Sequence, residues 1–262
     1  MVVAGVDVGA ATAKAIIFNG KEIVGSCTLP TGHDIPIIAK QVMEAALEMA
    51  KLTMADVQYT TATGYGRNAT PFANYTVTEI MCHAVGVNWV VPVARTVIDI
   101  GGQDSKAIRI DEAGRVLEFA MNDKCAAGTG RFLEVMARVL DLDIEEFADI
   151  SLLSNNPLRI SNVCTVFAES EVVGLRAKKC PREDIIAGLH KAAISRVVIM
   201  AKQVGIDDIL VFSGGVAKNK AMIKALEDET GHKVVVPGDP QIIGALGAAI
   251  ISSRNVSQES NA

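Results

Sequence analysis

Asp7-Val8-Gly9-Ala10-Ala11-Thr12-Ala13-Lys14-Ala15-Ile16 aligns without gaps on Asp99-Ile100-Gly101-Gly102-Gln103-Asp104-Ser105-Lys106-Ala107-Ile108, and five of the ten positions are identical. Each copy follows an apolar run and leads into another, which reads as a strand, a glycine turn and a returning strand. Asn19-Gly20 and Ala113-Gly114 mark a second turn in each copy, so two three-stranded meanders are expected. Around them, helical periodicity spans residues 35–52, 78–87, 131–140, 166–177, 184–204 and 242–252. Strand-like runs lie at 57–62, 209–212 and 233–236. That alternation predicts an α/β fold of mixed sheets flanked by helices. The duplication predicts two lobes, 1–94 and 95–241, with a cleft between them. A helix at about 242–255 is expected to pack back on the first lobe, and a flexible tail is expected over 253–262.

Composition narrows the class. Of 262 residues, 50% are hydrophobic and 21% charged, which excludes a disordered chain. Aromatics make up only 4% against 22 glycines, a balance suited to close backbone packing. The formal charge of −5 argues against nucleic acid as a partner. The longest stretch without a formal charge, residues 80–94, contains His83 and Pro92 and is shorter than the roughly 18 apolar residues a membrane helix needs. No basic segment precedes an apolar run at the start, so no signal peptide is expected. Five widely spaced cysteines do not make a secreted disulfide scaffold. These readings point to a cytoplasmic protein with free thiols or metal-bound ones.

An Asp-x-Gly turn at a strand end suits a nucleotide. Bare glycine backbone can approach phosphate oxygens, and the carboxylate can serve them through Mg²⁺. Asp7 and Asp99 are the candidate metal-side residues, with Lys14 or Lys106 to neutralise phosphate charge. Gln103 and Asp104 stand where the first copy has Ala11 and Thr12, and either could orient an attacking water. Ser213-Gly214-Gly215 after a buried strand would let an adenine or ribose lie against backbone. No Gly-x4-Gly-Lys-Ser/Thr run exists, which excludes a P-loop. Gly64-Tyr65-Gly66 fits a relaxed dinucleotide fingerprint, but Thr70-Pro71 interrupts the helix that fingerprint requires.

Cys125 and Cys164 each stand just before a helical pattern, where free N–H groups and the helix dipole stabilise an anionic group. Without a Cys-x2-Cys run, spacing alone favours small core hydrophobes, although a two-fold dimer would need only two thiolates per chain to hold a four-cysteine cluster. Cys180 reads as a surface thiol and Cys27 as structural. His83 reads as a core or interface histidine. His190 and His232 have no evident metal partners, and Glu169 and Glu171 read as charges complementing a helix start.

The two acid turns and Ser213-Gly214-Gly215 resemble the phosphate and adenosine motifs of the actin-like and sugar-kinase ATPase superfamily, of ribonuclease-H-like fold. Four stretches resemble, more narrowly, the activator ATPases (component A) of 2-hydroxyacyl-CoA dehydratases. They are Ala62-Thr63-Gly64-Tyr65-Gly66-Arg67, Val97-Ile98-Asp99-Ile100-Gly101-Gly102-Gln103-Asp104, Met121-Asn122-Asp123-Lys124-Cys125-Ala126-Ala127-Gly128-Thr129-Gly130-Arg131-Phe132 and Cys164-Thr165-Val166-Phe167-Ala168-Glu169-Ser170-Glu171-Val172. The same family includes ATPase subunits of benzoyl-CoA reductases. The resemblance implies a homodimer sharing one 4Fe-4S cluster, with Cys125 and Cys164 as each chain's ligands. It implies one-electron donation, driven by ATP, from reduced ferredoxin or flavodoxin into a dehydratase or related acyl-CoA reductase. It also implies that Asp7, Asp99, Gln103 and Asp104 act on Mg-ATP or Mg-ADP. Gly9, Ala10, Thr12, Lys14, Gly101 and Gly102 would then surround the phosphates, and Gly214 and Gly215 the adenosine. A small-molecule kinase, which leaves Cys125 and Cys164 without a task, and a nucleotide-gated assembly module, in which no electron moves, are the rival readings of such a fold.

Overall fold

The computed structural model describes residues 1–161, 164–207 and 209–259. The chain divides into two units. One comprises Met1–Ala94, Ile110–Leu117 and Gln241–Ala262, and the other comprises Arg95–Arg109 and Glu118–Pro240.

The first unit is built on a sheet of β1 (Val3–Val8), β2 (Thr12–Phe18), β3 (Ile23–Pro30), β4 (Thr60–Thr63) and β5 (Tyr75–Thr76), in the order β3-β2-β1-β4-β5. The meander pairs antiparallel, and β4 runs parallel to β1. Every residue of β1 is buried, as expected for a strand covered on both faces. Ala4, Val6 and Val8 pack on one side with helix α1 (Ile35–Ala50). That helix starts because Asp34 caps it, accepting from the Ile37 N–H, and it buries Ile38, Val42, Ala46 and their neighbours at helical spacing. Val3 packs on the other side, with Val85 of helix α2 (Glu79–Val90) and Ala245, Leu246 and Ala249 of the final helix, α8 (Ile243–Glu259). The backbones of α2 and α8 approach directly. A Cβ on Gly247 would stand 1.8 Å from the Cys82 carbonyl oxygen, and one on Gly86 would stand 2.3 Å from that of Ile243.

The second unit repeats the topology with β6 (Thr96–Ile100), β7 (Ser105–Ile110), β8 (Val116–Asn122), β9 (Leu210–Ser213) and β10 (Val234–Val235), in the order β10-β9-β6-β7-β8. The register repeats as well. Asp7 pairs with Lys14 as Asp99 pairs with Lys106, and Thr63 stands beside Asp7 as Ser213 stands beside Asp99. The core of this unit joins Ile98, Ile100 and Phe212 to α3 (Gly130–Val139), α4 (Ile144–Ser151), α5 (Thr165–Ala177), α6 (Arg182–Val204) and α7 (Lys220–Thr230).

Two readings are corrected and one is borne out. The helices α4 and α7 escaped the reading of periodicity. The tail expected from residue 253 is helical as far as Glu259, and 260–262 lie outside the described residues. Gly64-Tyr65-Gly66 leads into one 3-10 turn, Arg67–Ala69, which stops before Pro71.

Candidate functional site

Both acid turns are built alike. In the first, the Gly9 N–H donates to the Thr12 carbonyl at 3.1 Å and closes the turn. Thr31 braces it, its hydroxyl donating to the Gly9 carbonyl at 2.7 Å, and Gln241 donates to the Thr12 hydroxyl at 3.3 Å. Lys14 Nζ lies 3.2 Å from Asp7 Oδ2, and both side chains are buried. The Asp7 carboxylate rests against two glycines. A Cβ on Gly64, where φ is +82°, would come within 2.4 Å of Oδ1, and one on Gly244 would lie 3.1 Å from both Asp7 Oδ2 and His83 Nε2. A larger residue at Gly64 would occupy the carboxylate's own space.

In the second, the Gly101 N–H closes the turn on the Asp104 carbonyl at 3.0 Å. Lys106, fully buried, reaches Asp99 Oδ2 at 3.1 Å and Asp104 Oδ2 at 2.9 Å. Ser213 donates its hydroxyl to Asp99 Oδ1 at 2.9 Å. Gly214 has φ +89°, and its N–H donates to the Pro240 carbonyl at 2.9 Å. Gln103 is exposed, whereas Asp104 is engaged by Lys106. The lysines expected to meet phosphate thus meet carboxylates in this structure. Each carboxylate, taken within its own unit, is a hard oxygen donor of the kind Mg²⁺ accepts.

The start of α3 rests on the second turn. The N–H groups of Gly130 and Arg131 donate to the carbonyls of Gly101 and Gly102 at 2.9 and 2.8 Å. The loop before that helix carries Cys125, half-buried, and Asn122 clamps it. Its amide donates to the carbonyls of Cys125 and Ala127 at 2.8 and 3.1 Å, and its oxygen accepts from the Cys125 N–H at 3.2 Å. Cys164 is the N-cap residue of α5, its carbonyl accepting from the Ala168 N–H. Asn162 and Val163 before it lie outside the described residues. Beyond Cys164, the apolar residues Val166, Phe167 and Val173 are more than half exposed. The Thr165 hydroxyl is buried with no hydrogen-bond partner among the described residues.

All five cysteines are free thiols. Burial pushes the Cys82 thiol up to about 12, so it stays protonated and serves as core. Among the described residues no group of three or more His, Cys, Asp or Glu could hold a metal ion, and no helix is long and apolar enough to cross a membrane. Glu171 binds the Ser161 N–H at 2.7 Å and so ties α5 to the chain before it. The sequence reading gave no role to two residues that shape these segments: the clamp Asn122, and Gly244, whose bare Cα leaves room for the Asp7 carboxylate.

A model of the BadF/BadG/BcrA/BcrD ATPase family matches residues 4–252. The activator of lactoyl-CoA dehydratase from Anaerotignum propionicum is 45% identical over 94% of this chain and 95% of its own length. The 2-hydroxyisocaproyl-CoA dehydratase activator of Clostridioides difficile is 43% identical, covering 94% of this chain and 92% of its own. The solved structure of such an activator from Clostridium difficile, with bound ADPNP, superposes with a TM-score of 0.93 at 41% identity, over 100% of this chain and 97% of that one. At 14% identity and a TM-score of 0.54, a ROK hexokinase from Thermus thermophilus shares the fold, covering 98% of this chain and 100% of its own.

Proposed function

The chain belongs to the BadF/BadG/BcrA/BcrD ATPase family, and from that membership we propose that it is the ATP-dependent activator of a 2-hydroxyacyl-CoA dehydratase. The observation that carries this reading is the identity of 43% and 45%, over nearly whole chains, with two activators of such enzymes. Asp7 and Asp99 are the metal-side carboxylates. The Gly9-Ala10-Ala11-Thr12 and Gly101-Gly102 turns surround the phosphates with Lys14, and Gly214-Gly215 underlies the adenosine. Gln103 is the better candidate to orient the attacking water, because the Asp104 carboxylate is already engaged by Lys106.

Cys125 and Cys164 are the ligands this chain gives to a 4Fe-4S cluster, and a second chain gives the other two. A homodimer fits the exposed apolar residues that follow Cys164 on α5. When bound, the cluster supplies a single low-potential electron, received from ferredoxin or flavodoxin in the cytoplasm. The turn at Gly101-Gly102 is hydrogen-bonded to the start of α3, and Asn122 holds the Cys125 loop immediately before it. A change at the phosphates therefore has a short, rigid path to the Cys125 loop.

Iron and labile sulfide, measured after anaerobic purification, test the reading. Wild-type protein is expected to carry one cluster per two chains and to reduce a 2-hydroxyacyl-CoA dehydratase only with ATP. Cys125→Ser and Cys164→Ser are each expected to lose the brown chromophore, while Cys27→Ser and Cys180→Ser keep it. An iron-free wild type, or reduction without ATP, would refute the proposal.

A further inference from the structure

The two acid turns repeat the same Asp–Lys pairing but not its stoichiometry. In the first, Lys14 Nζ meets one carboxylate among the described residues, Asp7 Oδ2 at 3.2 Å. In the second, Lys106 Nζ is shared by two, Asp99 Oδ2 at 3.1 Å and Asp104 Oδ2 at 2.9 Å. The difference is written at one aligned position, where the first copy has Thr12 and the second has Asp104.

Three features keep the shared ammonium where it is. The Lys106 side chain is 2% exposed, and its departure would strand two neighbouring acids, one of them buried. The Asp99 carboxylate is fixed from its other side, Ser213 donating to Oδ1 at 2.9 Å. The Asp104 carboxylate packs over bare backbone, for a Cβ on Gly101 would stand only 2.4 Å from its Oδ1. The ammonium thus occupies the point from which both Oδ2 atoms are reached. A bare Mg²⁺ approaching Asp99 would have to expel a cation that has two acids as partners. Mg²⁺ carried by a polyphosphate brings its own anion, and can claim Asp99 while the lysine still has an acid to hold it.

We propose that Lys106 is a specificity-determining residue, which keeps uncomplexed Mg²⁺ off Asp99 so that metal enters this unit only with a nucleotide. It acts through the two carboxylates and touches no phosphate. The proposal rests on the reading of Asp99 as a metal-side carboxylate and deepens it.

The test is Mn²⁺ uptake by the anaerobically purified protein, measured by equilibrium dialysis without nucleotide, beside Mg²⁺-dependent binding of a fluorescent ATP analogue. Mn²⁺ takes the same oxygen ligands as Mg²⁺. Lys106→Met removes the charge, and its apparent dissociation constant for Mn²⁺ is expected to fall at least about tenfold below that of wild type. Adding Asp104→Asn to it should cancel the gain. Lys14→Met uncovers a single acid and should stay within about twofold of wild type. If Lys106→Met does not fold, Lys106→Gln replaces it, because the neutral amide can still donate to the acids and should show the same gain. An Asp99→Asn variant whose analogue binding keeps the wild-type Mg²⁺ dependence would overturn the reading of Asp99 itself. A shifted Asp99→Asn beside a Lys106 variant that gains no Mn²⁺ would overturn only the role of Lys106. An equal gain in Lys14→Met, or one that survives Asp104→Asn, would also overturn it, since the second acid would then be irrelevant.

Discussion

His190 shows at the scale of one residue how the fold chooses a protonation state. It is buried in α6, its ring 5.1 Å from that of Phe147. Asn219 uses its side-chain oxygen to cap α7, accepting from the N–H groups of Ala221 and Met222, so its amide hydrogens face His190 Nε2 at 3.0 Å. Nε2 must then accept, and Nδ1 donates to the Ile186 carbonyl at 3.0 Å. Burial, the dominant cause, pushes the histidine down to about 4, and the Ile186 hydrogen bond opposes it only in part. The folded value lies below the unfolded one of about 6.5. The contribution to stability is therefore complete above pH 6.5, declines as the pH falls, and is gone near pH 4. By pH 5 the loss should reach about 2 kcal/mol. Urea unfolding at pH 7 and pH 5 checks this against His190→Gln, which should lack that part of the slope; identical slopes would assign the acid sensitivity to other groups.

Elements meet most closely where α2 and α8 touch. A Cβ on Gly247 has no room, because the obstacle is the Cys82 backbone and not a side chain that could turn away. Gly247→Ala should cost about 3 kcal/mol of stability, read from chemical denaturation, by forcing the helices apart. Because α8 also carries Gly244 to Asp7, Mg-nucleotide affinity should fall in the same variant; a stable variant with wild-type affinity would count against this packing. The sequence made much of this level legible. Both meanders, their turns, α1, α3, α5 and α6 followed from period and glycine spacing, since those segments bury continuous apolar faces. The helices α4 and α7 did not, being short and rich in charge, although Asp143 with Glu146 and Asn219 with Gly231 were readable as their ends. Asp7 and Asp99 stood out because each sits in a repeated Asp-x-Gly turn, whereas Cys125 and Cys164 stood out only through the resemblance of the stretches around them. Gly244 and Thr63 could not be picked out, because their places beside Asp7 arise only when strands and helices distant in sequence come side by side.

The whole molecule joins two chemistries that the chain keeps on separate residues. The acid turns use oxygen donors and glycine backbone, while Cys125 and Cys164 lie on segments with their own anchors, Asn122 and the start of α5. Exposure to air should therefore bleach the protein and end electron delivery while nucleotide binding persists, as measured with the same fluorescent analogue. Loss of both together would show that the cluster also holds the nucleotide site in shape. The lysine pairing of the acid turns has one more consequence. Lys14 and Lys106 are resident counter-ions, seated on Asp7 and Asp99 in the chain alone. Neither carboxylate is thus bare before a nucleotide arrives, and on the proposed reading a metal would enter by cation exchange. The displaced Lys106 ammonium would keep Asp104 as its partner, whereas that of Lys14 would be left to meet the phosphate.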